Sequence, residues 1–173
     1  YTFHGVASHA AGAPELGRSA LDAVELMNIG VQFLREHMTD DCRVHLHLNA
    51  GGVSPNVVQS EADVLYMMRA NKVKDCVALQ KRVDKIAQGA ALMTETSFER
   101  VFIDGTSELL PNFTLEKLMY DNFEKIGVVQ HNDEERAFAA ELRKTFPPQS
   151  AAPGIGAHFN ADIAETVMEK THD

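Results

Sequence analysis

The stretch CRVHLHLN at residues 42–49 alternates apolar and polar side chains without a break. Cys42, Val44, Leu46 and Leu48 leave the chain on one side, and Arg43, His45, His47 and Asn49 on the other. Successive strand side chains point to opposite faces of a sheet, so this pattern suits an extended strand with one buried face. Gly51-Gly52 then supplies the turn chemistry for a hairpin. Residues 61–69 (EADVLYMMR) read as the return strand, after a short extended piece at 56–59.

The segments around this pair change to a helical period. Over about 17–38, Ala20, Val24, Met27, Val31 and Leu34 recur at helical spacing. Leu21 and Phe33 widen the stripe, which predicts a helix packed on a sheet and also touching a second surface. Over about 73–93, Cys76, Leu79, Val83, Ile86, Ala90 and Met93 form a second stripe. Residues 1–6 predict a first strand, with Tyr1 and Phe3 on one face and Thr2 and His4 on the other. Residues 94–104 (TETSFERVFID) predict the last. The order β-α-β-β-α-β belongs to the α+β class, a two-layer sandwich with two helices on one face of a four-stranded antiparallel sheet. It fills residues 1–104, an ordinary domain size.

After Gly105 the pattern becomes mostly helical. One amphipathic helix lies within 109–127, with Thr114 as its N-cap and Gly127 just past its end. A second starts at Asn132 or Asp133 and runs to about Phe146, and a short helical stretch follows at 161–170. The run HNDEER reads as a solvated helix start, whose acids suit the positive end of the helix dipole. These helices have apolar faces and no strands of their own to cover. Residues 105–173 therefore read as part of a second domain.

Composition narrows the partners. Lys and Arg number 16 and Asp and Glu 25, a net charge of −9. Without a basic stripe, nucleic acid and anionic membranes are not expected partners. No apolar run approaches the roughly 18 to 20 residues of a membrane span. Two cysteines, Cys42 and Cys76, make no disulfide framework and point to a reducing cytoplasm. The start, YTFHGVASHAAG, is not a signal peptide and reads as a chain entered partway along, already inside a strand.

A few polar residues stand in well-defined frames. His9 sits on a loop directly after a strand, where functional side chains tend to be held; a satisfied polar residue at a strand end is the plain alternative. Asn56 lies in SPNVV, and Arg69 closes a strand. The planar fork of Arg69 can hold a carboxylate, or it can be an ordinary solvated arginine. His45 and His47 are two apart on a polar face, but two ligands without a third do not complete a metal site. A solvated or interface-facing strand is the preferred reading. There is no G-x-S-x-G, no phosphate-cradling glycine loop, no zinc-type Cys/His spacing and no Cys/His nucleophile pairing.

Four stretches, FHGVASHAAGAPELGRSALDAVELMNIGVQFLREH, GGVSPNVVQSEADVLYMMRA, IAQGAALMTETSFERVF and LPNFTLEKLMYDNFEKIG, together carry a likeness over about residues 1–127. They closely resemble the lid, or dimerisation, domain of metallopeptidase family M20, a family of two-metal amidohydrolases and carboxypeptidases. The resemblance implies a two-domain parent in which a catalytic α/β domain holds two divalent ions, zinc or manganese, and the lid is inserted into it. The family's His-x-Asp motif, and the Glu-Glu pair with its general base, lie before the lid or well after the return, and none of those motifs is read in this chain. No metal site is therefore expected here, and this segment alone is expected not to hydrolyse anything. The substrate implied is an N-acyl amino acid or an aminobenzoyl-glutamate-type amide. His9 matches the lid histidine that, in dimeric members, reaches into the partner subunit's active site and stabilises the oxyanion. Asn56 and Arg69 match lid residues that bind the substrate's free carboxylate. The resemblance also implies a homodimer through the edge strand 42–49 and the first helix. The competing reading is a stand-alone small-molecule-binding or regulatory module that dimerises through its sheet.

Overall fold

The computed structural model describes residues 1–145 of the 173. The chain divides into two compact units, residues 1–109 and 110–173. The first holds β1 (Thr2–His4), β2 (Ser8–His9), α1 (Ala20–Arg35), β3 (Arg43–Ala50), β4 (Val57–Val58), β5 (Glu61–Arg69), α2 (Val73–Thr94) and β6 (Ser97–Glu99). β3, β5, β1 and β6 form one antiparallel sheet in that order, and β2 and β4 form a separate small pair. The four-stranded sheet with two helices expected from the alternation is thus present, with β3 at one edge and β6 at the other.

The helices lie on the sheet's apolar face, α1 against β5 and β1, and α2 against β6 and β5. Phe3, Val24, Met27, Val31, Val44, Val64 and Val83 are fully buried between the layers. Each such side chain contributes about 1.5–3 kcal/mol by leaving water. Gly30 lets the two helices approach closely: a Cβ there would meet the Ile86 side chain at 2.6 Å. The sheet's other face carries Arg43, His45, His47, Glu61, Leu65, Met67 and Arg69, all exposed. Tyr1 and Tyr66 pack edge to face at 5.7 Å, and their hydroxyls bond to Asp84 and Asn28, both at 2.6 Å. Burial, aided at Tyr1 by Asp84, pushes both phenols well above their ordinary range.

Several boundaries differ from the sequence reading, each for a local reason. α1 starts at Ala20, not Gly17, because Arg18 bridges to Val6 and Ser19 caps the helix by accepting from the Asp22 N–H. It ends at Arg35, where the Glu36 and His37 N–H groups turn to the Phe33 and Leu34 carbonyls. The last strand is only Ser97–Glu99, since α2 continues to Thr94 and Glu95 closes it in a left-handed conformation, φ 54°. Met93, expected in the core stripe, is 66% exposed. Gly51 and Gly52 do not close a two-residue hairpin; residues 51–60, including β4, connect β3 to β5.

In the second unit, α3 (Phe113–Ile126) is capped by the Asn112 side chain rather than by Thr114, and α4 (Asp133–Arg143) starts at a capping box of Asn132 and Glu135. The loop and the short helix expected at 161–170, and the continuation of α4 to Phe146, lie outside the described residues. None of the described helices is long and apolar enough to cross a membrane.

Candidate functional site

β2 and β4 are only two residues each, yet they set the position of two of the expected site residues. His9 pairs with Val57, and the Ala10 N–H donates to the Asn56 carbonyl at 3.0 Å. His9 and Asn56 are therefore neighbours across a short antiparallel rung. The chain after His9 folds back on it: the Ala13 N–H donates to the His9 carbonyl at 3.0 Å, and the Ser8 hydroxyl donates to the Ala13 carbonyl. Two amides converge on the imidazole, Gly12 N–H at 2.9 Å and Ala11 N–H at 3.2 Å, both donating to Nδ1. A neutral imidazole that accepts at Nδ1 carries its proton on Nε2. The exposed end of His9 is thus a hydrogen-bond donor.

Asn56 is treated in a parallel way. Its Oδ1 accepts from the Ser54 hydroxyl, so the Nδ2 amino group is the part left to the surroundings. The turn beneath it is closed by Val57 N–H on the Ser54 carbonyl at 3.2 Å. Gln59, only 9% exposed, sits under that turn with its side-chain amide bonded to Val53, Ser54 and Val57. N–H donors of this kind can hold an oxyanion or a carboxylate oxygen. An open depression of about 420 Å³ is lined by chain neighbours of His9 and Asn56, Ala10, Pro55 and Val57, with Pro14, Leu21 and Gln59 among others.

Arg69 is elsewhere. It ends β5, while the loop bearing Asn56 precedes the strand's start. A strand of that length spans roughly 26 Å at about 3.3 Å per residue, so one small carboxylate cannot bridge Asn56 and Arg69 of the same copy. Arg69 stands opposite Arg43 on β3. Arg43 spends Nη1 on the carbonyls of Asp40 and Cys42, whereas the Arg69 side chain has no hydrogen-bond or ion-pair partner among the described residues. Two arginines opposite each other on adjacent strands concentrate positive charge where an anion would relieve it.

His45 and His47 lie on the open face, opposite Met67 and Leu65, which supply no third ligand. Among the described residues no group of three or more His, Cys, Asp or Glu is placed to hold a metal ion. The letters His131-Asn132-Asp133 and Glu134-Glu135 spell a His-x-Asp and a Glu-Glu, but they serve the start of α4. Asn132 accepts from the Glu135 N–H, Glu135 accepts from the Asn132 N–H, and His131 lies 3.7 Å from Glu135. The described residues therefore do not fit a two-metal centre.

Sequence reasoning missed Gln59 and the facing of Arg43 on Arg69. Nothing in the string VVQS marks its glutamine as buried, and the register that sets Arg43 against Arg69 exists only once β3 and β5 are paired.

Comparison with known proteins gives this geometry its setting. Over 146 residues the chain is 51% identical to one of the subunits of the p-aminobenzoyl-glutamate hydrolase of Escherichia coli, covering 84% of this chain and 30% of that protein. It is 34% identical over 132 residues to the Xaa-Arg dipeptidase of Mus musculus, covering 73% of this chain and again 30% of the relative. Among solved structures, an aminobenzoyl-glutamate utilization protein from Klebsiella pneumoniae superposes with a TM-score of 0.61 at 25% identity, over 75% of this chain and 33% of that one. The chain spans about a third of the length of these relatives. Residues 1–94 match the family model of the peptidase dimerisation domain. The chain belongs to the M20 peptidase family, and its sheet-and-helix unit is that family's dimerisation domain.

Proposed function

We propose that this segment is the lid and dimerisation domain of a metal-dependent amidohydrolase that cleaves the amide of an aminobenzoyl-glutamate-type or other N-acyl amino acid. The observation that carries the reading is the 51% identity to a p-aminobenzoyl-glutamate hydrolase. The two divalent ions, zinc or manganese, would be held outside this segment, and residues 105–173 would belong to the returning catalytic domain. The segment alone would then be non-catalytic. Two free cysteines suit a cytoplasmic setting.

In this reading His9 acts through Nε2–H. Its two backbone donors at Nδ1 hold the ring and its tautomer, so the N–H is aimed before charge develops on the scissile carbonyl. A preorganised donor of this kind is worth about 3–4 kcal/mol to the transition state. Asn56, its neighbour across the β2–β4 rung, donates to the same substrate. Arg69 binds the free carboxylate, and the length of β5 supports its acting from the other copy. β3 is an exposed edge able to pair with its own copy; an isologous antiparallel pairing brings the Arg69 end of the partner alongside the His9–Asn56 end of the first. The exposed Ile29 and Phe33 on α1 offer further apolar surface to such a dimer.

The test is kinetic, in the full-length protein. His9→Ala lowers kcat by about 100- to 1,000-fold, and mixed dimers with a variant crippled in its catalytic domain recover activity. Unchanged kcat removes His9 from the mechanism. Hydrolysis by the isolated 173-residue chain overturns the non-catalytic assignment, and saturable amino-acid binding without hydrolysis in the full-length protein favours the sensor module instead.

A further inference from the structure

We infer that Gln59 is a positioning residue that aims Asn56, an inference that rests on the substrate-binding role proposed for Asn56. Among the described residues, Gln59 is the polar side chain that falls in the buried class. Burying an amide is costly unless its donors and acceptor are used, and here they are. Nε2 donates to the Ser54 carbonyl at 2.6 Å and to the Val57 carbonyl at 2.8 Å, while Oε1 accepts from the Val53 N–H at 2.8 Å. All three partners lie in residues 53–57, the turn that carries Asn56.

The line of support is short. Gln59 holds the Ser54 carbonyl, the Ser54 hydroxyl holds Asn56 Oδ1, and Asn56 Nδ2 is left to donate. The clamp is also tied to the scaffold, because the Gln59 carbonyl accepts from the Ala20 N–H at 2.8 Å, in the first turn of α1. Gly52 makes the room. It has φ +101°, and a Cβ there would fall 1.9 Å from Gln59 Oε1. An aliphatic side chain at 59 would fill the space but take the Gln59 bond from the Val53 N–H and the Val57 carbonyl, and leave the Ser54 carbonyl with the Val57 N–H alone. A glutamate would keep the acceptor and lose both donors.

The experiment is a double-mutant cycle in the full-length protein with N-(4-aminobenzoyl)-glutamate as substrate, read together with hydrogen exchange over residues 50–58. Asn56→Ala and Gln59→Ala each lower kcat/KM by roughly tenfold, the value of one hydrogen bond to substrate. The double variant is no worse than Asn56→Ala alone. Protection at Val53 is lost in Gln59→Ala and kept in Asn56→Ala. Losses that multiply in the double variant, an unchanged kcat/KM in Gln59→Ala, or protection that survives in Gln59→Ala each overturn the inference. If Asn56→Ala is silent while Gln59→Ala loses protection, the substrate role of Asn56 has failed, and the positioning role with it, whereas the clamp itself stands. Should Gln59→Ala not fold, the isosteric Gln59→Glu serves the same cycle, with the same non-additivity expected.

Discussion

At the scale of single residues, the candidate site works by using up one end of each polar side chain. His9 spends Nδ1 on two backbone amides, and Asn56 spends Oδ1 on Ser54, so each presents only N–H to its surroundings. Arg69 differs, because its fork is uncommitted among the described residues and it stands opposite Arg43 in the register. Charge-assisted hydrogen bonds are worth about 1.5–3 kcal/mol each. Arg69→Ala is therefore expected to raise KM for a carboxylate-bearing amide by about 10- to 100-fold with a smaller change in kcat. Arg69→Lys should recover part of that loss, keeping the charge without the fork. Steady-state kinetics on the full-length protein decide it, and an unchanged KM would leave Arg69 an ordinary solvated residue.

At the scale of elements, α2 shows how the end of the first unit serves its middle. Lys72, at the N-cap, offers the helix no side-chain acceptor. Glu108 supplies one from thirty-five residues further along, accepting from the Val73 N–H at 2.9 Å and pairing with Lys72 at 3.6 Å. That backbone hydrogen bond first, then Glu108's own backbone N–H, and after them the Lys72 charge, hold the Glu108 carboxyl below its ordinary range. A carboxylate depressed on folding stabilises the fold above its unfolded pKa, and that contribution is lost as pH falls through the folded value. The stability of the native protein relative to Glu108→Gln should thus be greatest near neutrality and shrink on acidification. Denaturant melts of both proteins across the acid range measure this; a pH-independent difference would remove Glu108 from the cap. Asp41 is lowered in the same sense, first by Thr39 and then by the Asn71 N–H, so it adds to the acid sensitivity of the loop between α1 and β3.

At the scale of the molecule, the dimerisation domain is asymmetric in what it covers. Both helices lie on one face, and β3 ends the sheet with its outer edge free among the described residues. An edge strand of this length invites pairing, and a charge on it is the usual way such pairing is suppressed. Leu48, in β3 and 44% exposed, is the residue at which to place one. Leu48→Glu is expected to leave the monomer folded, to shift the full-length protein from dimer toward monomer in sedimentation velocity, and to lower activity in proportion, since Arg69 and the His9–Asn56 pair would then belong to separate molecules. A dimer that persists unchanged would place the interface away from β3. In the second unit, α3 exposes Phe113, Leu118, Met119 and Phe123, the apolar surface expected of helices built to pack on further structure.

The sheet-and-helix order was legible because it rests on two local periods. Val44 and Leu46 in β3, and Val24, Met27 and Val31 in α1, can be read as buried faces with no knowledge of what they bury against. The capping residue Asn132 was equally local, whereas the Ser19 cap of α1 and the Asn112 cap of α3 were not read, and nothing at position 95 announced the left-handed conformation in which Glu95 closes α2. His9, Asn56 and Arg69 could be picked out singly and by resemblance. Their grouping could not, because it depends on which backbone meets which. The rung between β2 and β4 joins His9 to Asn56, the length of β5 separates both from Arg69, and the burial of Gln59 follows from the course of a loop closed against α1. Periodicity is written along the chain, but proximity is created only when distant segments share hydrogen bonds, and the site is made of proximity.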